Sequence, residues 1–278
     1  MVAYAVKTPP QHGSWADFLD VWLAADDIEA FESAWTMDHL YPLTPPSDGP
    51  ILESWTMLAA LAQATRRLRL GCMVNGMHFR HPAVTANMAA TLDHVAGGRF
   101  TLGLGAGWFE PEAEAYGIPL GTLTERFDRF DEGVEVIASL LSRERITFAG
   151  RYYRLADARC EPKPVQARLP IAIGGRGPRR TLRAVARWAD QWDMVRAEDP
   201  TAWKRLDAVL VEHCEAIGRD PASIRRSVHV MWQAEDEPVA LAERAAAFAA
   251  AGVDLVIFSM RGPYDARLLE PLAAALTA

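Results

Sequence analysis

Cysteine is scarce in this sequence: Cys72, Cys160 and Cys214 are the only three in 278 residues, far apart and without a CxxC or Cys/His spacing. That argues against a disulfide framework and against a structural zinc site, so three reduced thiols and no metal are expected. Positive charge is also in deficit, with 29 Lys and Arg against 36 Asp and Glu and a formal net charge of -7. Nucleic acid and acidic membranes are therefore poor partners, and any bound anion needs a local site. No apolar stretch approaches the ~20 residues of a membrane span. The start, MVAYAVKTPP, lacks a basic segment followed by an apolar run, so a cytoplasmic protein is expected. Gly/Ser linkers and low-complexity runs are missing too, and half of the residues are apolar, which suits one domain over residues 1–278 with one large core.

What is present is alternation. Short β-branched or apolar runs are separated by longer helical patterns, the signature of repeated βα units around a parallel sheet. Strands are expected at 2–6, 33–37, 68–74, 99–104, 171–174, 191–195, 227–231 and 255–259. Eight units suit a closed (β/α)8 TIM barrel of ~250 residues better than an open doubly wound sheet. Helix boundaries carry their own signals: His81-Pro82-Ala83 at an entrance, Ala96-Gly97-Gly98 at an exit, and Leu241, Ala245, Phe248 and Ala249 at helical spacing before Gly252. The pattern ITFAGRYYRL at 146–155 predicts a small hairpin inserted after the helix that follows the fourth strand. The charged stretch at 125–135, with apolar Phe127, Phe130 and Val134, reads as an amphipathic helix.

In a barrel the chemistry belongs on loops at the carboxyl ends of the strands. After the second strand comes Met37-Asp38-His39-Leu40-Tyr41-Pro42. Histidine titrates near neutral pH, so His39 can exchange a proton there, with Asp38 fixing its tautomer or capping the next turn; the alternative is a surface turn. The third strand ends in Gly71-Cys72-Met73-Val74-Asn75-Gly76, either a bulge that pushes backbone toward the axis or a plain loop turn. The fourth runs into Gly103-Leu104-Gly105-Ala106-Gly107-Trp108-Phe109-Glu110-Pro111-Glu112, where small residues permit close approach and aromatics can wall a pocket. A nicotinamide loop would need a third glycine and a helix start that this segment lacks. Glu110 and Glu112 are candidates for acid or base, or two surface carboxylates.

After the fifth strand, Gly174-Gly175-Arg176-Gly177-Pro178-Arg179-Arg180-Thr181 opens a helix with three arginines nearby. Unsatisfied N–H groups, a helix dipole and fixed positive charge suit a phosphate; the alternative is a structural glycine turn. Of the nine tryptophans, only Trp108 and Trp192 fall where a strand-end pocket could include them.

These segments in this order resemble the luciferase-like monooxygenase superfamily, especially its deazaflavin (coenzyme F420)-dependent oxidoreductase branch. The resemblance rests on DHLYP, ILESWTMLAALA, RLRLG, FRHPAVTANMAATLDHVAGGRFTLGLGAGWFEPE, EPKPVQ and IGGRG, spans about 35–193, and fades toward the last strands. It implies a (β/α)8 barrel with a non-prolyl cis peptide at Met73–Val74 behind the isoalloxazine or deazaflavin ring. It also implies that His39 lies near the reactive face, that Asn75 contacts the cofactor, and that Gly174, Gly175, Arg176 and Gly177 hold its phosphate. Asp38, Met73 and Gly107 fall on the cofactor side of this arrangement, and Tyr41, Trp108 and Glu112 on the substrate side.

Three departures from the family pattern bear on chemistry. Flavin-using relatives often carry an arginine where this chain has Ala106, which favours the deazaflavin over FMN. The sugar-phosphate dehydrogenases place a glutamate where Trp108 stands. The frequent tryptophan after the histidine is replaced by Tyr41, Pro42 and Leu43. The resemblance thus implies an F420-dependent oxidoreductase moving a hydride to or from a small organic substrate, within a homodimer. The alternatives are an FMN-dependent two-component monooxygenase fed by a separate reductase, and a barrel that binds cofactor without turnover.

Overall fold

The computed structural model describes residues 2–197 and 199–278. In chain order the elements are β1 (Ala3–Lys7), α1 (Trp15–Asp27), β2 (Phe31–Thr36), α2 (Ser54–Ala64), β3 (Arg69–Cys72), β4 (Asn75–Gly76), α3 (Pro82–Val95), β5 (Phe100–Gly105), α4 (Glu110–Ala115) and α5 (Leu123–Ser142). There follow β6 (Ile146–Ala149), β7 (Arg154–Ala158), β8 (Ile171–Gly174), α6 (Thr181–Trp188), β9 (Gln191–Met194), α7 (Pro200–Glu215), β10 (Arg225–Trp232), α8 (Pro238–Ala251), β11 (Leu255–Met260) and α9 (Leu269–Thr277).

Eight parallel strands pair in the order β1-β2-β3-β5-β8-β9-β10-β11, and β11 returns to β1. The ring is sealed where Leu70 and Gly71 of β3 meet Phe100 and Thr101 of β5. The structure is thus the expected (β/α)8 barrel, and every expected strand is found at its place. One departs in detail: the run at 68–74 does not continue unbroken. It stops at Cys72, and after Met73 and Val74 the short β4 resumes against Leu104 and Gly105 of β5. The inserted hairpin is β6 and β7, clamped to α5 by the Glu132 carboxylate, which accepts from the N–H groups of Arg151, Tyr152 and Tyr153. It extends to Ala158, past the expected end, because Ile146 at the start of β6 pairs with Ala158, with a register shift between Ile146 and Phe148.

The period of two along each strand sorts side chains into two cores. Ala5, Trp35, Met73, Ala172, Leu255 and Ile257 pack inside the barrel, while their strand neighbours Val6, Ala34, Cys72, Ile171, Val256 and Phe258 pack outward under the helices. Local chemistry starts and stops those helices. Ser14 with Asp17 and Thr122 with Glu125 form capping boxes on α1 and α5. Pro82 occupies the first turn of α3 behind the His81 cap. Gly252, at φ 110°, ends α8, whose buried face is Leu241, Ala245 and Phe248.

Toward the carboxyl end the lumen turns polar. Lys7, Asp193, Ser227 and His229 are all buried there. Gln191 Nε2 donates to Ser227 Oγ at 3.0 Å, and Ser227 Oγ in turn lies 2.8 Å from Asp193 Oδ1. His229 Nε2 comes within 3.2 Å of Asp193 Oδ2, but the angle is too poor for a hydrogen bond and both atoms are left without one. Burial lowers the basicity of both Lys7 and His229. This polar layer is the floor beneath the strand-end loops.

Candidate active site

Four loops converge over that floor. The loop after β2 carries Asp38 and His39, whose side chains take different partners. Asp38 turns inward and is buried; it accepts from Arg80 Nη1 at 2.7 Å and Nη2 at 3.1 Å, and from the Gly76 N–H at 3.2 Å. Arg80 also reaches Glu53 at 2.9 Å. Burial pushes the Asp38 carboxyl up against the pull of Arg80. Asp38 therefore does not orient His39, as the sequence suggested it could.

That role falls to Glu112, four residues beyond Trp108 in the first turn of α4. Rather than the surface carboxylate that a helix entry suggests, it is fully buried. Its carboxylate accepts from His39 Nδ1 at 3.0 Å, from the Tyr41 N–H at 2.8 Å and from the Leu40 N–H. Burial opposes its charge, but the bonds from His39 and from the two N–H groups prevail and hold the carboxyl below the usual range. With Nδ1 engaged by Glu112, Nε2 is the ring nitrogen of His39 left for another partner. Its ring is edge-on to Trp108 and Phe109, with centroids 5.8 and 6.1 Å away.

Behind this pair lies the bulge of β3. The Met73–Val74 peptide is cis, as the family resemblance implied. Met73 is anchored on both sides: its N–H donates to Thr36 O at 3.0 Å, and its carbonyl accepts from Lys7 Nζ at 2.8 Å. Val74 thereby enters a space that glycines keep open. A Cβ on Gly105 would stand 2.5 Å from Val74 Cγ2, and one on Gly103 would stand 2.0 Å from the Cys72 carbonyl oxygen. Asn75 donates to Gly103 O at 2.7 Å, and its Oδ1 is buried without a partner. Both ring nitrogens of His78 are also buried and unpartnered, and burial lowers its pKa to about 4. His78 packs where a Cβ on Gly107 would sit, and Gly107 has φ 86°.

The fourth loop, Gly174 to Gly177, leads to α6, whose first turn has no side-chain cap. The Gly175 N–H donates to Asp193 O, and the Gly175 carbonyl accepts from Trp192 Nε1 at 2.8 Å. Trp192 is thus not a pocket residue: it lies outside the barrel, fully buried and stacked on Trp203, and steadies the loop from behind. Arg180 is likewise committed elsewhere, bonded to Asp128 and Asp131 of α5 at 2.6 and 3.2 Å. Arg176 and Arg179 are exposed.

The structure therefore brings His39, Glu112, Trp108, Tyr41, Met73, Val74, Asn75 and Gly107 to one end of the barrel, and Gly174 to Gly177 to the same rim. Sequence reasoning overlooked Lys7, His78, Asp193 and His229. For Lys7, Asp193 and His229 the signal was a polar residue in the inward phase of an apolar strand, as in AYAVK, QWDM and SVHVMW; His78, in the turn after β4, carried no such signal.

The luciferase-like monooxygenase family model matches residues 2–275. The chain belongs to that family. Among relatives, it is 35% identical over 223 residues to a phthiodiolone/phenolphthiodiolone dimycocerosates ketoreductase of Mycobacterium tuberculosis, covering 73% of this chain and 57% of that protein. It is 34% identical over 212 residues to an F420-dependent glucose-6-phosphate dehydrogenase of Kineococcus radiotolerans, covering 76% of this chain and 62% of that one. The chain thus spans less than two thirds of the length of either relative. An F420-dependent secondary alcohol dehydrogenase solved with an F420-acetone adduct superposes with a TM-score of 0.89 at 18% identity, over 99% of this chain and 98% of that one. That likeness establishes the shared luciferase-like barrel.

Among the described residues, no helix is long and apolar enough to cross a membrane.

Proposed function

We propose that this chain is an F420-dependent oxidoreductase that moves a hydride between the deazaflavin and a small organic substrate. The observation that carries the proposal is the Met73–Val74 bulge with its glycine-lined opposite wall, set beside a histidine whose Nδ1 is held by a buried carboxylate. The residues fit the cofactor. The bulge, anchored by Thr36 O and Lys7 Nζ, would back the ring, and the unpartnered Oδ1 of Asn75 is an acceptor for a polar ring edge. Gly174, Gly175, Arg176 and Gly177, at the uncapped start of α6, suit its phosphate. Met73 and Val74 back the ring with Gly107 close by, while Asp38 acts at one remove by tying Arg80 to the Gly76 N–H.

When bound, the deazaflavin supplies the hydride acceptor or donor. The chain orients the substrate, and His39 Nε2 takes or returns the proton. Tyr41 and Trp108 line the substrate side, with Glu112 fixing the histidine beneath them. Ala106, in place of an arginine, favours the deazaflavin over FMN. The substrates in the relatives' names are not carried over.

One domain holds both seats in this proposal. Three buried free cysteines suit a reducing cytoplasm. A homodimer would cover the apolar groove of about 820 Å³ between α2 and α3, lined by Trp55, Ala59, Ala83, Val84 and Met88.

Anaerobic titration of the protein with F420 and with FMN tests the proposal. F420 binding at least tenfold tighter is expected. Comparable FMN binding, with oxygen consumption when reduced FMN is supplied by a separate reductase, would instead make it a two-component monooxygenase. F420 binding without turnover on any carbonyl or alcohol would leave a non-catalytic barrel.

A further inference from the structure

Exposed aromatic side chains are few among the described residues: Trp15, Tyr41, Trp108 and Tyr116. Trp108 stands edge-on to His39, and Tyr41, two residues from His39, pairs with Tyr116, so three of the four lie on the two loops that carry His39 and Glu112. Trp108 is 58% exposed and Tyr116 51%, large values for rings of this size. Trp108 lies 5.1 Å from Phe109 between centroids, and Tyr41 meets Tyr116 edge to face at 5.5 Å. The two halves of this wall come from different loops, after β2 and after β5. The Glu112 carboxylate bolts them together through Leu40 and Tyr41, so the wall is organised before any ligand arrives.

The electrostatics of the mouth are as selective as its shape. Two arginines bonded to residues beside His39 and Trp108 are already held: Arg126 by Gly107 O, Gly121 O and Glu110, Arg80 by Asp38 and Glu53. Glu110, 71% exposed, and the exposed Glu114 face solvent on α4. An anionic substrate would meet carboxylates here and exchange its hydration for aromatic rings, which is costly. A neutral ring system would gain stacking area at little loss of hydration.

We propose that the substrate of this site is a neutral, ring-bearing carbonyl compound or its reduced form, with its apolar body on the Trp108/Tyr41/Tyr116 wall and its oxygen toward His39. This rests on the assignment of His39 as the proton-exchanging group in the proposed function. A phosphorylated sugar is excluded as the preferred ligand.

The test is equilibrium binding to the full chain without cofactor, followed by tryptophan quenching, with carvone as the neutral ring-bearing probe and glucose 6-phosphate as the anionic one. Carvone is expected to bind more tightly. W108S should weaken carvone binding by about tenfold, the loss of one aromatic contact with its buried area. W108F should stay within about threefold of the wild type. The proposal is overturned if glucose 6-phosphate binds as tightly as carvone, or if W108S leaves carvone binding unchanged. It is equally overturned if W108S changes the oligomeric mass, since the wall would then be an interface between copies. Failure of F420 to bind while carvone behaves as expected would count against the hydride-transfer proposal alone.

Discussion

At the scale of single residues, the site depends on buried groups whose partners lie far away in sequence. Glu112 is separated from His39 by 73 positions, yet it fixes the histidine's tautomer and two backbone N–H groups at once. His39→Ala is expected to lower kcat by at least about 100-fold, the usual contribution of a positioned acid or base, with cofactor binding measured separately by titration. Glu112→Gln keeps the volume and one oxygen for the Leu40 and Tyr41 N–H groups, but turns an NH2 donor toward His39 Nδ1, which must then accept, so the tautomer is reversed. A kcat loss on the order of tenfold is expected, with an altered pH-rate profile. His78 adds a test by acid. Its pKa falls from 6.5 to about 4 on folding, so the unfolded chain binds the proton first as pH drops. Stability is therefore lost between about pH 6.5 and 4, by up to roughly 3 kcal/mol. Glu112, held below its usual range, adds a further loss as pH falls below about 4.5 toward its lowered value. Thermal melts from pH 7 to 4 should show the slope, and His78→Gln should flatten its upper part.

At the scale of elements, the bulge between β3 and β4 and the glycines facing it act as one device. Gly105→Ala would place a methyl 2.5 Å from Val74 Cγ2, which forces the bulge to shift. A stability loss of about 1–3 kcal/mol is expected from overpacking, read by denaturant midpoints, with F420 affinity reduced in parallel. An unchanged F420 affinity would detach the bulge from the cofactor seat. A helix face away from the site should behave differently. Phe248 of α8 is 3% exposed in the outer core. Phe248→Ala should cost about 3–5 kcal/mol with the F420 dissociation constant unaltered in the folded fraction.

At the scale of the whole molecule, a closed ring of eight parallel strands places every loop of chemical interest at one rim. In the proposed dimer, the groove between α2 and α3, whose lining includes the Arg80 and Glu53 that hold Asp38, is the surface that a second copy would cover. Sedimentation should give the mass of a dimer, and Val84→Glu, at a position 52% exposed on that groove, should shift it toward the monomer. A monomer at all concentrations would remove the dimer from the proposed function.

The barrel was legible in the sequence because its determinants are local: alternating apolar runs, the His81-Pro82 entrance of α3, and glycine at the end of α8. The motifs at the strand ends were legible for the same reason, since each lies within one short segment. What only the tertiary structure decided is which side chains meet. Asp38 was diverted from its neighbour His39 to Arg80, and Glu112 moved from an apparent surface position into the interior. Trp192 went outward to Trp203, and Lys7 went inward to Met73. Those outcomes depend on the phase of each strand around the ring and on burial, and neither can be read from spacing along a single segment.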